Sequence, residues 1–538
     1  MSPLCDYRPL CDRLFVVAIT LAGALASVSG CSTRPPGADF PKTYTVAVPL
    51  EGKTPLGSAF QAAVASHESL SGFQIFNAGV DGFLTRIELI NTAARTLDLQ
   101  YYIFRGDETG VTIRDALRQA AHRGVHVRII VDDAETVPGD ERLFELTGVP
   151  NIEIRIYNPW AYRGHLKLLR SFEYLTHHSR LDYRMHNKLL IADQAVALQG
   201  GRNIGDQYFQ VAPESQFADD DVFTVGHDIA QLQKSFDEFW NSELAIPSEA
   251  LYPAGRLPRD PAPPRLSATR VANAGLHLRD KLAGGEPLKS LLSGQTKLIW
   301  AKAQVVYDSP NKKDVREGIR TGRLMYGPVI EAASSVQREL LMITPYLVPS
   351  RSELQALQQE RARNARVAIL TNSLESAPEL SAHAGYTHYR PRLLQAGVEL
   401  YEVRSHLQST RGSGQSKRIS EFGNYALHAK LLVFDRERLY IGSMNFDRRS
   451  HALNTELGLI IDSKELAEQG ADRFAAMTRP ESAYAVSFSG ADGSRSSHLL
   501  WRCADHGDLV EYLREPAKSP WQRFKVRFLS MLPLDPEL

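Results

Sequence analysis

Apolar positions along this chain alternate between two periods, and the alternation runs through twice. Phe83, Ile87, Ile90 and Ala94 recur at helical spacing, and TLDLQYYIF from Thr96 to Phe104 then reads as a strand. Ile113, Leu117 and Ala120 resume the helical period until Gly124 offers a stop. VRIIVDD from Val127 and IEI from Ile152 follow as further strand segments. Later in the chain, ELLMITPYLV from Glu339 to Val348 answers the first strand and aligns Tyr346 with Tyr102, VAILTNS from Val367 answers VRIIVDD, and VEL from Val398 answers IEI. Between these strands, Ser350 and Glu353 form a capping-box pair that opens the helical stretch SELQALQQERARN. Strand, helix, strand in duplicate predicts an α/β chain of two related halves, with helices packed on the faces of a sheet.

The duplication sets the expected boundaries. The first half spans 71–250 and the second 276–480, joined by a connection at 251–275 whose five prolines between Tyr252 and Leu266 exclude regular structure. Residues 31–70 form a tether and N-terminal extension, and 481–538 a C-terminal extension. In the latter, Trp521, Phe524, Phe528 and Leu532 fall near one helical face with Arg523, Lys525 and Arg527 elsewhere, which suits either a membrane-surface helix or one packed on the domain. A chain of 538 residues with 43% hydrophobic content can build two cores.

Chemistry enters with a pair of repeated motifs. MHNKLLIAD carries His186, Lys188 and Asp193, and LHAKLLVFD carries His428, Lys430 and Asp435 at the same spacing, 242 positions later. One H-x-K-x4-D arises readily by chance in a chain this long, whereas two copies in matching contexts do not. A phosphodiester is anionic and resists attack, so cleaving it without a metal requires a nucleophile, an acid for the departing alkoxide and fixed positive charge. Histidine can be both nucleophile and acid near neutral pH, and lysine supplies charge to the phosphoryl oxygens. One motif provides half of this set, so the site is expected where the halves meet. Asp193 and Asp435 stand at the predicted hairpin turns DQ and DRER, where aspartate also serves simply as a turn former.

Each predicted hairpin is followed by a matching turn: GGRN with Gly200, Gly201 and Asn203, and GSMN with Gly442, Ser443 and Asn445. Glycine allows close approach of the backbone to an anion, and Asn203, Ser443 and Asn445 are candidate phosphate donors.

The first thirty residues read as a targeting segment. Arg8 and Arg13 precede the apolar run LFVVAITLAGALASV, which closes on VSGC. That tetrapeptide is similar to a bacterial lipobox, which implies cleavage before Cys31 and lipid on its sulfur. An ordinary secretory signal or an uncleaved anchor is the alternative. The expected location is the bacterial cell envelope, facing the periplasm, with Ser32 favouring the outer membrane. Of the four cysteines, Cys5 and Cys11 leave with the leader and Cys31 is lipidated, so Cys503 alone excludes a disulfide framework and a cysteine zinc cluster. Lys+Arg and Asp+Glu are both 62, which speaks against nucleic acid as the main partner. Locally, Arg163, Lys167, Arg170, Arg180 and Arg184 outnumber Glu173 and Asp182 just ahead of the first motif, a pattern suited to anionic headgroups or to a solvated helix.

With these segments in view, including LDLQYYIF, HRGVHVRIIVDD, RMHNKLLIAD, GGRNIGDQYF, FADDDVFTVG, VVYDSP, NYALHAKLLVFD and GSMNFDRRS, the chain resembles the phospholipase D superfamily and, within it, bacterial cardiolipin synthases of the C type. The likeness runs from about residue 70 onward. It implies two pseudo-symmetric phospholipase D-like α/β/α halves, a mixed sheet in each, with the active site at their interface. It implies a two-step transfer with no metal and no cofactor, acting on glycerophospholipids such as phosphatidylglycerol and phosphatidylethanolamine at a membrane surface. By the same likeness His186 is the nucleophile and His428 the acid and base, each ring oriented by a downstream carboxylate. Matching FADDDVFTVG with LNTELGLII places Asp221 opposite Glu456, with Asp219 as the fallback. Gly201, standing where the second copy has Ser443, departs from the symmetry. Hydrolysis to phosphatidic acid and cleavage of nucleic acid are the competing activities, and a binding module that kept only the fold is the non-enzymatic one.

Overall fold

The computed structural model describes residues 34–47, 53–135, 140–164, 166–211, 216–252, 286–405, 425–489, 498–505 and 507–531. The leader, Cys31, nearly all of the Pro-rich connection and Leu532 lie outside them.

The first half contains β1 (Ser71–Phe76), β2 (Thr96–Tyr101), β3 (His126–Asp132), β4 (Ile152–Tyr157), β5 (Leu189–Ala192), β6 (Val196–Gly200), β7 (Gln216–Ala218), β8 (Asp221–Gly226) and β9 (Ala245–Pro247). β2, β3 and β4 run parallel, with β9, β5, β6, β8 and β1 added antiparallel in the order β9-β4-β3-β2-β5-β6-β8-β1. The parallel strands are buried on both faces, with polar Asp98, Gln100, Arg128 and Arg155 buried alongside their apolar residues, because helices Gly79–Thr92 and Glu108–His122 cover one face and other elements the opposite one.

The second half repeats the plan with β10 (Ile299–Tyr307), β11 (Glu339–Ile343), β12 (Arg366–Asn372), β13 (Glu399–Val403), β14 (Tyr425–Leu427), β15 (Leu431–Phe434), β16 (Arg438–Gly442), β17 (Leu457–Asp462) and β18 (Ala483–Phe488). Its order is β10-β17-β16-β15-β11-β12-β13-β18, extended by β19 (Leu499–Asp505) and β20 (Asp508–Tyr512). The sheet of this half therefore continues past residue 480. The capping box at Ser350 and Glu353 is formed, with Ser350 Oγ accepting from the Glu353 N–H.

The two mixed sheets join edge to edge. β1 and β10 pair antiparallel with Gly72 opposite Trp300, which joins 18 of the described strands into one continuous sheet. Two smaller contacts stitch the halves nearer their centre: β7 pairs in parallel with β14, and Met185 bridges to Thr455. Apolar residues from both halves also share cores, as where Tyr307 and Leu457 join Met185, Leu189 and Trp240. Each such burial contributes about 1.5–3 kcal/mol.

Candidate active site

His186 and Lys188 lie in the extended lead-in to β5, and His428 and Lys430 in the lead-in to β15. A three-residue turn closes each following hairpin, between paired Ala192 and Val196 and between paired Phe434 and Arg438, and its first two residues have positive φ: 52° and 50° at Asp193 and Gln194, 54° and 56° at Asp435 and Arg436. The expected DQ and DRER turns are thus the same three-residue device. The carboxylate of Asp193 accepts from the N–H groups of Ala94, Arg95 and Thr96. Asp435 does the same for Gln337, Arg338 and Glu339. These contacts correct the assignment of both aspartates to the site: they lie at the far end of each hairpin and fasten it to the start of β2 or β11.

The histidines are held across the interface between the halves. The His186 N–H donates to the Thr455 carbonyl at 2.9 Å, and the His428 N–H to the Ala218 carbonyl at 2.8 Å. Consequently each imidazole meets the carboxylate that follows, supplied by the opposite half. Glu456 lies 2.8 Å from Nδ1 of His186, and Asp219 lies 2.6 Å from Nδ1 of His428. With Nδ1–H committed to a carboxylate, Nε2 of each ring carries the lone pair. Lys188 Nζ donates to the His186 carbonyl and Lys430 Nζ to that of His428. Lys430 Nζ also sits 2.9 Å from Nδ1 of His428.

Asp219, not Asp221, is therefore the partner of His428. Gly200 pairs with Asp221 in β6–β8 and Gly442 with Gly458 in β16–β17, so Asp221 corresponds to Gly458 and Asp219 to Glu456. The sequence match slipped by two residues, a slip that keeps every side chain on the same face of a strand and so leaves the hydrophobic alternation intact. Asp221 instead accepts from Arg86 at 2.8 Å and Arg202 at 3.0 Å, in a fully buried ion triad.

The same register explains the asymmetry of the turns. A Cβ on Gly201 would overlap Oδ1 of Asp219, whereas Ser443 Oγ donates to Glu456 at 2.5 Å. The shorter carboxylate lies close against a glycine and the longer one is held off by a serine. Ser443 is thereby corrected from phosphate donor to carboxylate support, and its Oγ also accepts from the Leu457 N–H. Asn203 is likewise occupied: Oδ1 accepts from the Ile103 N–H and Nδ2 donates to the Tyr208 hydroxyl at 3.0 Å. Asn445 donates its backbone N–H to Ser450 Oγ, and its buried Oδ1 has no hydrogen-bond partner among the described residues.

The site is closed and strongly charged, which governs its titration. Burial, then Lys188 and Lys430, hold His186 well below the ordinary imidazole range. Burial and Lys430 push His428 down to about 3, against the pull of Asp219. The carboxylates fix ring orientation, while burial and the lysines oppose the charged form of both imidazoles. Burial also lowers Lys430 to about 8 and Lys188 well below its usual value, with Asp219 and Glu456 opposing in both cases. Glu456 is raised by burial despite Lys188 and Ser443. For Asp219 burial pushes upward, yet His428 and Lys430 carry the net shift downward.

Several supporting residues carry no motif of their own. Tyr102 packs edge-on against His186 with ring centroids 5.0 Å apart, while Tyr208 packs edge-on and Phe217 face-on against His428, at 5.2 and 5.1 Å. Asp132, at the end of β3, accepts from the Met185 N–H at 2.9 Å, and Asn372, at the end of β12, from the Leu427 N–H at 2.8 Å. Each thereby braces the residue before a histidine. Alignment of VRIIVDD with VAILTNS already paired these two positions. Buried cations secure the two carboxylate-bearing segments: Arg202 donates to the Asp219 carbonyl, and Lys312 to the Asn454 carbonyl at 2.7 Å. Asp308, from VVYDSP, accepts from both Lys312 and the Glu456 N–H.

Comparison with known proteins gives a consistent affiliation. The family model described as cardiolipin synthase, PLD-like domain matches twice, at residues 86–240 and 329–478, one match per half. Cardiolipin synthase C of Escherichia coli strain K12 is 33% identical over 482 residues, covering 89% of this chain and 99% of that protein. Major cardiolipin synthase ClsA of Bacillus subtilis is 26% identical over 400 residues, covering 73% of this chain and 66% of that one. Among solved structures, phosphatidylserine synthase of Haemophilus influenzae Rd KW20 aligns with a TM-score of 0.48 at 15% identity, over 79% of this chain and 91% of its own. With one family match in each half and a motif histidine in each, this chain belongs to the PLD-like cardiolipin synthase family.

Proposed function

We propose that this chain is a membrane-associated phosphatidyltransferase of the phospholipase D type, making cardiolipin from phosphatidylglycerol, with phosphatidylethanolamine as a further substrate. The observation that carries the reading is the exchange of partners between halves: His186 on Glu456 and His428 on Asp219, with a lysine on the carbonyl of each histidine. Names of the relatives add support, since two of them are called cardiolipin synthases.

In the first step Nε2 of His186 attacks the phosphorus, the bond from phosphorus to the headgroup oxygen breaks, and Nε2–H of His428 protonates the departing alkoxide. The product is a phosphatidyl-histidine and a free alcohol. In the second step the hydroxyl of an acceptor lipid gives its proton back to His428 and attacks phosphorus, breaking the bond to His186. Lys188 and Lys430 stabilise the phosphoryl oxygens, where negative charge concentrates in both transition states. Bound anionic substrate also offsets the two lysines and so favours the protonated form that His428 needs as acid. Lipidation of Cys31 holds the enzyme on the envelope membrane, facing the periplasm.

Purified protein in detergent with labelled phosphatidylglycerol should yield a diphosphatidyl product, lost in His186→Ala and in His428→Ala. Phosphatidic acid as the sole product would instead establish a hydrolase, and cleavage of single-stranded DNA lost in the same variants a nuclease.

A further inference from the structure

Two helices, one in the first half and one in the C-terminal extension, present apolar stripes that no described residue covers. On helix Lys167–Leu181 the stripe is Leu168, Phe172 and Leu175, and on helix Pro520–Met531 it is Trp521, Phe524, Phe528 and Met531. All seven are at least half exposed, and their spacings place each set on a single helical face. The inward faces of both helices are already satisfied. Glu173 is buried and accepts from the N–H groups of Ala161 and Tyr162, while Val526 is buried against Leu374 and Ala384. The exposed residues are therefore surplus to packing.

Both helices are tied to the sheet edge that holds the histidines. Asn158, directly after β4, donates to the Arg180 carbonyl near the end of the first helix. Gln522, in the first turn of the second, donates to the Leu374 carbonyl two residues beyond β12. The neighbouring strand ends are those at which Asp132 and Asn372 brace Met185 and Leu427.

We propose that these two helices form a docking surface for an anionic lipid bilayer, so that the edge of the sheet bearing the histidines faces the membrane. Charge selects this occupant. Helix Pro520–Met531 carries Arg523, Lys525 and Arg527 and no acidic residue, and the one acid within Lys167–Leu181 is the buried Glu173. A basic helix with an aromatic face lies in the headgroup region with its apolar side chains among the acyl chains. Symmetric pairing of two copies through this helix would set Arg523, Lys525 and Arg527 against like charges. The inference deepens the proposed lipid reaction, and its first test does not require turnover.

Full-length protein reconstituted into vesicles of phosphatidylethanolamine and phosphatidylglycerol with brominated acyl chains should show quenched tryptophan emission, and Trp521→Phe should remove most of that quenching. A Phe524→Ser/Phe528→Ser variant should reduce the quenched fraction severalfold with an unchanged circular dichroism spectrum. Quenching that is unaltered by Trp521→Phe overturns the proposal, as does equal quenching in brominated phosphatidylcholine alone. Concentration-dependent dimerisation abolished by Phe524→Ser/Phe528→Ser would assign the stripe to a second copy instead. For the other helix, Leu168→Ser/Leu175→Ser should lower turnover on vesicles about tenfold and spare turnover on detergent-dispersed lipid. Equal turnover in both removes that helix from the surface. Quenching without any turnover leaves the docking surface standing and fails the reaction; turnover on vesicle lipid without quenching does the reverse.

Discussion

Asp219 and His428 belong to opposite halves of the chain, yet the carboxylate lies 2.6 Å from Nδ1 of the imidazole. The parallel pairing of β7 with β14 brings them together, because it fixes which residue follows Ala218 beside His428. Asp219→Asn should lower kcat by about 10²–10⁴-fold with little change in melting temperature, since an amide orients the wrong tautomer of the ring. Asp221→Asn should do the opposite. It leaves Arg86 and Arg202 buried without their counter-charge, at a cost of about 3–5 kcal/mol in stability. Steady-state kinetics and thermal melting on the two variants separate the roles.

The glycine at 201 is matched to the length of the acid beside it. Gly201→Ser, which makes the first turn resemble the second, should displace Asp219 and reduce activity about a hundredfold. Combining it with Asp219→Glu rebuilds the pairing seen between Ser443 and Glu456, and should recover part of the loss. A double-mutant cycle measures this coupling, and strictly additive losses would refute it.

The motif aspartates should affect folding and leave the chemistry alone. Asp193→Ala frees three backbone N–H groups at the start of β2 and should destabilise the chain by about 1–3 kcal/mol while the active-site fraction keeps its kcat. Asp435 adds a pH signature. Burial opposes its ionisation, but the N–H groups of Gln337, Glu339 and Arg338 hold its pKa below the usual carboxylate value. A depressed carboxylate contributes stability that is fully present above its unfolded pKa and is lost as pH falls through the folded one. Wild type should therefore lose more stability than Asp435→Asn below about pH 4 in denaturation curves recorded against pH.

The alkaline limb of the pH profile should belong to a lysine. Lys430 is pushed down to about 8 by burial, so its ammonium is charged below that pH and neutral above. kcat/KM should fall as pH rises through this range, because the phosphoryl oxygens lose a fixed positive charge. Lys430→Arg keeps the charge throughout and should shift the fall to higher pH, even where its absolute rate is lower.

Much of this protein can be read from its residues in order. The duplication, the strand and helix succession, the capping box at Ser350 and the two His–Lys pairs all rest on local periodicity and spacing, which the primary structure carries directly. The pairing of Asp132 with Asn372 was also visible as an alignment, although nothing local revealed that both brace the residue before a histidine. The turn aspartates were ambiguous for a related reason: a carboxylate that binds substrate and one that caps backbone N–H groups look alike until their neighbours are known.

What the linear order determined is that two half-sites exist and which side chains form their centre. What only the tertiary structure decided is how the halves complete one another. Glu456 serves His186, Asp219 rather than Asp221 serves His428, and Ser443 and Gly201 set the depth of the two acids. The physical reason is that hydrophobic alternation is unchanged by a two-residue slip along a strand, whereas cross-half backbone hydrogen bonds, such as those of His186 to Thr455 and His428 to Ala218, admit a single register.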